Sequence, residues 1–201
     1  MDYSLQQLGY RLAAFLVIAS IVGFTLAGVA WRLGDKGPAH DGRARLSPLV
    51  HLDLIGLVCA VLFGPGWIRP LDVEAVRLRG GRPSLAALPF INSALVLIVF
   101  IVLQFALPGA LSLLDASAAQ VATTFTRAFG EIGLWFALVN LAPIPSLAGE
   151  HFIAAARPGW TPVLRKLRIP CATAMLALSA LGVHTKLFGG ALRWMSDLLL
   201  R

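Results

Sequence analysis

"LAAFLVIASIVGFTLAGVAW", residues 12–31, runs for twenty residues between Arg11 and Arg32 without one charged side chain. An α-helix of that length rises about 30 Å, the thickness of the hydrocarbon layer of a bilayer. The rest of the composition agrees with this stretch. Of 201 residues, 58% are hydrophobic and 13% are charged, against roughly 45–50% and about 25% in soluble domains. The chain therefore reads as a single integral membrane domain over 1–201, all-α and polytopic.

Working outward, further apolar segments predict helices at about 84–107, 128–149 and 169–185. Another uncharged piece, 54–68, has only 15 residues between Asp53 and Arg69. The chain shows no internal repeat or low-complexity tract, and no cleavable leader is expected, since Asp2 and Arg11 precede the first apolar run and no small-residue cleavage site clearly follows it. Cys59 and Cys171 stand singly in apolar segments, which points to small buried hydrophobes and not to a disulfide framework.

Charge placement predicts the orientation. There are 17 Lys and Arg against 10 acids, and residues 32–82 hold eight of the basic side chains, residues 150–168 four, and residues 107–126 none. Basic loops stay on the cytoplasmic side, so this excess reads as topology and not as nucleic-acid binding. If 54–68 crossed the membrane, Arg69, Arg77, Arg79 and Arg82 would lie outside. The segment is therefore expected to be re-entrant, its backbone covered by protein. The expected setting is a multi-pass protein of a bacterial cytoplasmic (inner) membrane.

Two polar pieces, around 44–49 and 71–78, alternate briefly with period 2 and predict a small β hairpin or sheet on the cytoplasmic side. The last residues, 187–201, predict an interfacial helix with Trp194 at headgroup level.

Five motifs then occur in a telling order. "RLGD" at 32–35 is followed by "LSPLVHLDLIG" at 46–56, "GWIRPLDV" at 66–73, Pro89 with Asn92, and "NLAPIPSLAG" at 140–149. Together they resemble the site-2 protease family of intramembrane zinc metallopeptidases, whose corresponding segments read L-N-P-L-x-H-x-D-P-x-G, G-W-x-[KR]-P-V-x-V, G-P-x-x-N and N-L-L-P-I-P-P-L-D-G. Ser47, Leu54 and Leu88 depart from those patterns. The resemblance covers roughly residues 15–155, and it implies that family's transmembrane core.

It also implies where a metal would be held. In the family the helix ending in R-L-G-D carries H-E-x-x-H, two histidines at i and i+4 for zinc and a glutamate as general base. Aligned on Leu33, Gly34 and Asp35, those positions are Val22, Gly23 and Leu26, and the third ligand, the aspartate of L-D-G, is Ala148. None offers a lone pair. An ionisable group in a membrane segment is costly without a partner, so once zinc is gone apolar replacements are self-consistent.

The expectation is a pseudoprotease without metal or cofactor, acting as a binding, scaffold or accessory subunit. Its partners would be the lipid bilayer and the transmembrane helices of another protein. Gly23 and Gly28, which could form a small-residue face on the first helix, and the amides Asn92 and Asn140, which need hydrogen-bond partners in apolar helices, are the candidate contacts. Remaining polar groups are His40, His51, Asp53, Glu131, Glu150, His151 and His184. Glu131 is expected to pair with Arg127 at i−4. Two rivals stand: a working zinc protease with ligands drawn from His51, Glu150 and His151, and a small transporter, which the scarcity of charge inside the helices argues against.

Overall fold

The computed structural model describes residues 3–199. They are mostly helical: α1 (Leu5–Arg32), a single turn α2 (Gly37–His40), α3 (Leu54–Phe63), α4 (Gly81–Leu111), α5 (Ala116–Val139), α6 (Glu150–Ala156), α7 (Thr161–Ala180) and α8 (Val183–Leu199). The end of the expected interfacial helix, residues 200–201, lies outside the described residues, and so do the side chains of Leu192, Met195, Leu198 and Leu199. Trp194 is exposed.

Helix α1 starts at a capping box, with Ser4 Oγ accepting from the Gln7 N–H and Gln7 Oε1 accepting from the Ser4 N–H. Among the described residues, it and α4 are the helices long and apolar enough to cross a membrane. Helices α7 and α8 would make a third span as a broken pair, bent by 83° at Gly182, whose φ is +70°. The outward faces carry large apolar side chains, among them Phe24, Phe90, Ile98, Val102 and Phe105. A face of that kind belongs against lipid and not water.

Helix α5 differs from the expected 128–149 helix. It begins at Ala116 behind the Asp115 cap, which accepts from the Ala118 N–H, and it ends at Val139. Pro143 and Pro145 lack the N–H groups a continuing helix needs. Its C-terminal half is wrapped by protein, with Phe129, Gly130, Ile132 to Ala137 and Val139 all buried. The seam with α4 is built on glycine: a β-carbon at Gly130 would stand 2.5 Å from the Phe100 ring, and one at Gly133 would stand 3.0 Å from Val96. Ser93 Oγ donates to the Ala137 carbonyl at 2.7 Å across the same seam. Small residues of this kind let helices approach closely in lipid.

The short apolar segment goes in and comes back. Asp53 caps α3 through the Gly56 N–H, the helix stops at Gly64 (φ +105°), and the chain returns so that Leu52 bridges Ile68 antiparallel. The Arg69 N–H donates to the His51 carbonyl at 2.8 Å. Gly56 permits the return, because a β-carbon there would meet the Trp67 carbonyl oxygen at 2.2 Å. The helix tip is held by Arg11, only 2% exposed. Its Nε donates to the Val61 carbonyl, Nη2 to the Ala60 carbonyl, and Nη1 to Glu131 at 2.7 Å. Glu131 thus pairs with α1 and not, as expected, with Arg127 on its own helix.

The expected sheet does not form. Among the described residues there is no strand, only the Leu52–Ile68 bridge and 3-10 turns at Pro48–Val50 and Ala75–Arg77. Pro48 removes a ladder donor from the first segment, and the second is instead pinned through Glu74 to buried Asp35. Its carboxylate accepts from the Gly37 and Glu74 N–H groups at 2.9 Å each, and the Arg79 N–H donates to the Leu33 carbonyl.

Candidate functional site

Three of the four positions where the family resemblance places zinc chemistry converge. Gly23 and Leu26 from α1 and Ala148 from the 141–149 loop line one small cavity of about 20 Å³, together with Arg43, Asn92, Asn140 and His151. Val22, the fourth, is buried in the main apolar core. A zinc ion needs three or four donor atoms, and these four side chains supply none. Among the described residues no three His, Cys, Asp or Glu side chains come together as a metal group. The residues present do not fit zinc.

The volume beside Gly23 is taken by His51. An added β-carbon at Gly23 would lie 2.2 Å from His51 Cγ and Nδ1, so no larger residue fits while the ring stays there. His51 is fully buried. Its Nε2–H donates to the Arg45 carbonyl at 2.8 Å, and Nδ1 accepts from Arg43 Nε–H at 3.3 Å. Desolvation pushes the imidazole below its ordinary value; the Arg45 carbonyl works against this and the Arg43 charge reinforces it.

Arg43 is itself buried, 7% exposed. Nη2 donates to the Arg69 carbonyl at 2.7 Å, and no described carboxylate lies within 4 Å of it. Desolvation and the Arg69 charge bring it down to about 10, with Asp72 and Asp41 acting in the other direction from farther away.

The loop after α5 is tightly wound. Asn140 Nδ2 donates to the Gly66 and Phe136 carbonyls at 3.0 and 2.8 Å, and Oδ1 accepts from the Ala148 N–H at 3.4 Å. Gly149 lets the chain pass Ala142, whose carbonyl oxygen a β-carbon would meet at 2.1 Å. Ser146 holds a φ of +82°, fixed by its N–H to Glu150 and its hydroxyl to the Arg168 carbonyl.

The other candidates are dispersed or engaged. Glu150 pairs with Arg168, which also holds Asp72, and Arg165 reaches Asp72 at 3.3 Å. Burial raises the Asp72 carboxyl, and Arg168 and Arg165 more than offset this, so it lies below the usual range. The two ring nitrogens of His151 face the Ala148 and Leu71 carbonyls at 2.8 and 3.0 Å, of which a neutral ring can donate to one. The donors of the rival protease reading, His51, Glu150 and His151, are thus each committed to other partners. His184 stacks edge-on against Trp135, His40 is exposed, and Asp53 is the α3 cap. Cys59 and Cys171 are free thiols.

Of the expected contact residues, Gly23 and Asn140 are satisfied within the chain. Gly28 does not share Gly23's surroundings, since a β-carbon there would meet nothing within 4 Å. Asn92 is different again: it is 0% exposed, and neither Nδ2 nor Oδ1 has a hydrogen-bond partner. Sequence reading missed Arg43 and the Asp72–Arg168–Glu150 network. A charged residue in a loop gives no sign of burial, and the two pairings of Arg168 link residues 18 and 96 positions apart.

A search of known proteins finds a Bacillus subtilis protein named "Putative zinc metalloprotease YwhC", 33% identical over 152 residues, covering 71% of this chain and 68% of the relative. No protein-family model matches the chain, and no solved structure matches it.

Proposed function

We propose that this chain, which belongs to the site-2 protease family of intramembrane zinc metallopeptidases, is a catalytically inactive member of it that binds the transmembrane region of another protein as an accessory or scaffold subunit. The observation carrying this reading is the small cavity at the family's metal position, about 20 Å³ and bounded by Gly23, Leu26 and Ala148. Neither a general base nor a metal ligand faces it from those positions, and hydrolysis of a peptide bond needs both a polarised carbonyl and an activated water. The helices around the cavity meanwhile remain closely packed, as a binding role requires.

Two surfaces are left for a partner. One is the open side of α1 at Gly28. The other is a groove of about 620 Å³ between residues 73–85 and 154–165, with Val76, Leu85 and Pro162 as apolar walls and Arg82 and Arg165 at its margin. The basic loops at that end favour the cytoplasmic side of a bacterial inner membrane.

Crosslinking in intact membranes through a photoreactive residue at position 28 or 76, followed by mass spectrometry, tests the binding role. A single membrane protein captured in stoichiometric yield is the expected result. Capture of lipid alone, with cleavage of a model transmembrane substrate by the purified chain, would contradict it.

A further inference from the structure

Asn92 lies on the buried face of α4 with no exposed surface, and neither atom of its amide has a hydrogen-bond partner within the chain. The side chains that line the cavity with it are engaged elsewhere. Asn140 Nδ2 donates to the Gly66 and Phe136 carbonyls. Arg43 Nε and Nη2 are committed to His51 and the Arg69 carbonyl, and both ring nitrogens of His151 face backbone carbonyls. Arg69 itself is exposed, and the side chains at Gly23, Leu26 and Ala148 offer nothing polar. A buried amide is costly without partners, so the group that satisfies Asn92 comes from outside the chain.

The amide sets the chemistry of that group. It offers two N–H donors and one carbonyl acceptor. An anion serves only the donors; a cation serves only the acceptor and would also meet the Arg43 charge. Water serves both. Size agrees, since about 20 Å³ exceeds the roughly 10–15 Å³ that one water requires. We propose that a single buried water occupies this cavity, donating to Asn92 Oδ1 and accepting from Asn92 Nδ2. Its second hydrogen is left for Asn140 Oδ1, which lies on the same lining and accepts only from the Ala148 N–H, at 3.4 Å. The water thereby ties α4 to the 141–149 loop, a neutral bridge beside the positions where the family resemblance expects zinc to join α1 to that loop. This bridge rests on the metal-free reading of the site, because so small a cavity does not hold a metal ion and this water together.

The test is a crystal structure of the full chain at a resolution that shows ordered water, together with the melting midpoints of the wild type and Asn92→Leu. The wild type is expected to show one density peak within hydrogen-bond distance of both Asn92 amide atoms. Leucine has the branched shape of asparagine without its polar atoms, so in Asn92→Leu the peak is expected to vanish. The variant is also expected to melt about 2–6 °C below the wild type, since satisfied hydrogen bonds are lost. A dry, unsatisfied amide predicts the reverse sign, because its removal relieves a penalty. Should Asn92→Leu fail to fold, the wild-type density decides alone. Zinc content is read on the same sample. A zinc-free chain with no density beside Asn92 would overturn the water and leave the metal-free reading standing; zinc at the site would overturn both.

Discussion

At the scale of single residues, the decisive contact is between Gly23 and His51. Gly23→Ala places a methyl group 2.2 Å from a buried ring, and the expected cost is about 1–3 kcal/mol in denaturant unfolding. His51 also predicts a pH dependence. Its folded-state value lies below the ordinary 6.5, so as pH falls through that value the unfolded chain takes up a proton that the folded chain refuses. Stability is therefore retained above about pH 6.5 and lost on acidification below it. His51→Asn is expected to flatten that slope between pH 7 and 5 in thermal unfolding; an unchanged slope would place the titration elsewhere. None of this could be read from the chain alone. The family resemblance, aligned on Leu33, Gly34 and Asp35, locates Val22, Gly23 and Leu26, but only the folded return of residues 51–69 shows that His51 fills the space beside Gly23.

At the scale of elements, the re-entrant segment shows what charge and length can reveal. Fifteen uncharged residues between Asp53 and Arg69 are too few for a comfortable crossing, and the chain does double back there. The clamp at its tip was not legible, because Arg11 looks like an ordinary flank of an apolar run. Removing it with Arg11→Met takes the side-chain donor from the Val61 carbonyl and the partner from the half-exposed Glu131, at an expected cost of about 1–3 kcal/mol. Glu131→Gln keeps an acceptor for Arg11 and is expected to cost about 1 kcal/mol; comparison of the two midpoints checks the assignment. Helix α5 was displaced in the sequence reading for an identifiable reason. Apolar content runs past Val139 into "LAPIPSLAG", whereas hydrogen bonding cannot, with two prolines there. The expected strands failed for a similar reason: a period-2 pattern of a few residues is outweighed by Pro48 in the first segment and by the pull of Asp35 on the Glu74 amide in the second.

For the molecule as a whole, the parts define a membrane protein of the site-2 protease family with a small cavity lined by Gly23, Leu26 and Ala148. The re-entrant path has a consequence for topology. Cysteines introduced at positions 42 and 80, on either side of residues 54–68, are expected to react with an impermeant thiol reagent from one face of the membrane, and a cysteine at 114 from the other. Labelling of 42 and 80 from opposite faces would mean that the segment crosses. The central claim is most directly tested by metal analysis of the full chain purified from cells grown with added zinc. The expected content is far below one zinc per chain, unchanged by Ala148→Ser. One tightly held zinc per chain would contradict the assignment and mark the protein as a metalloenzyme.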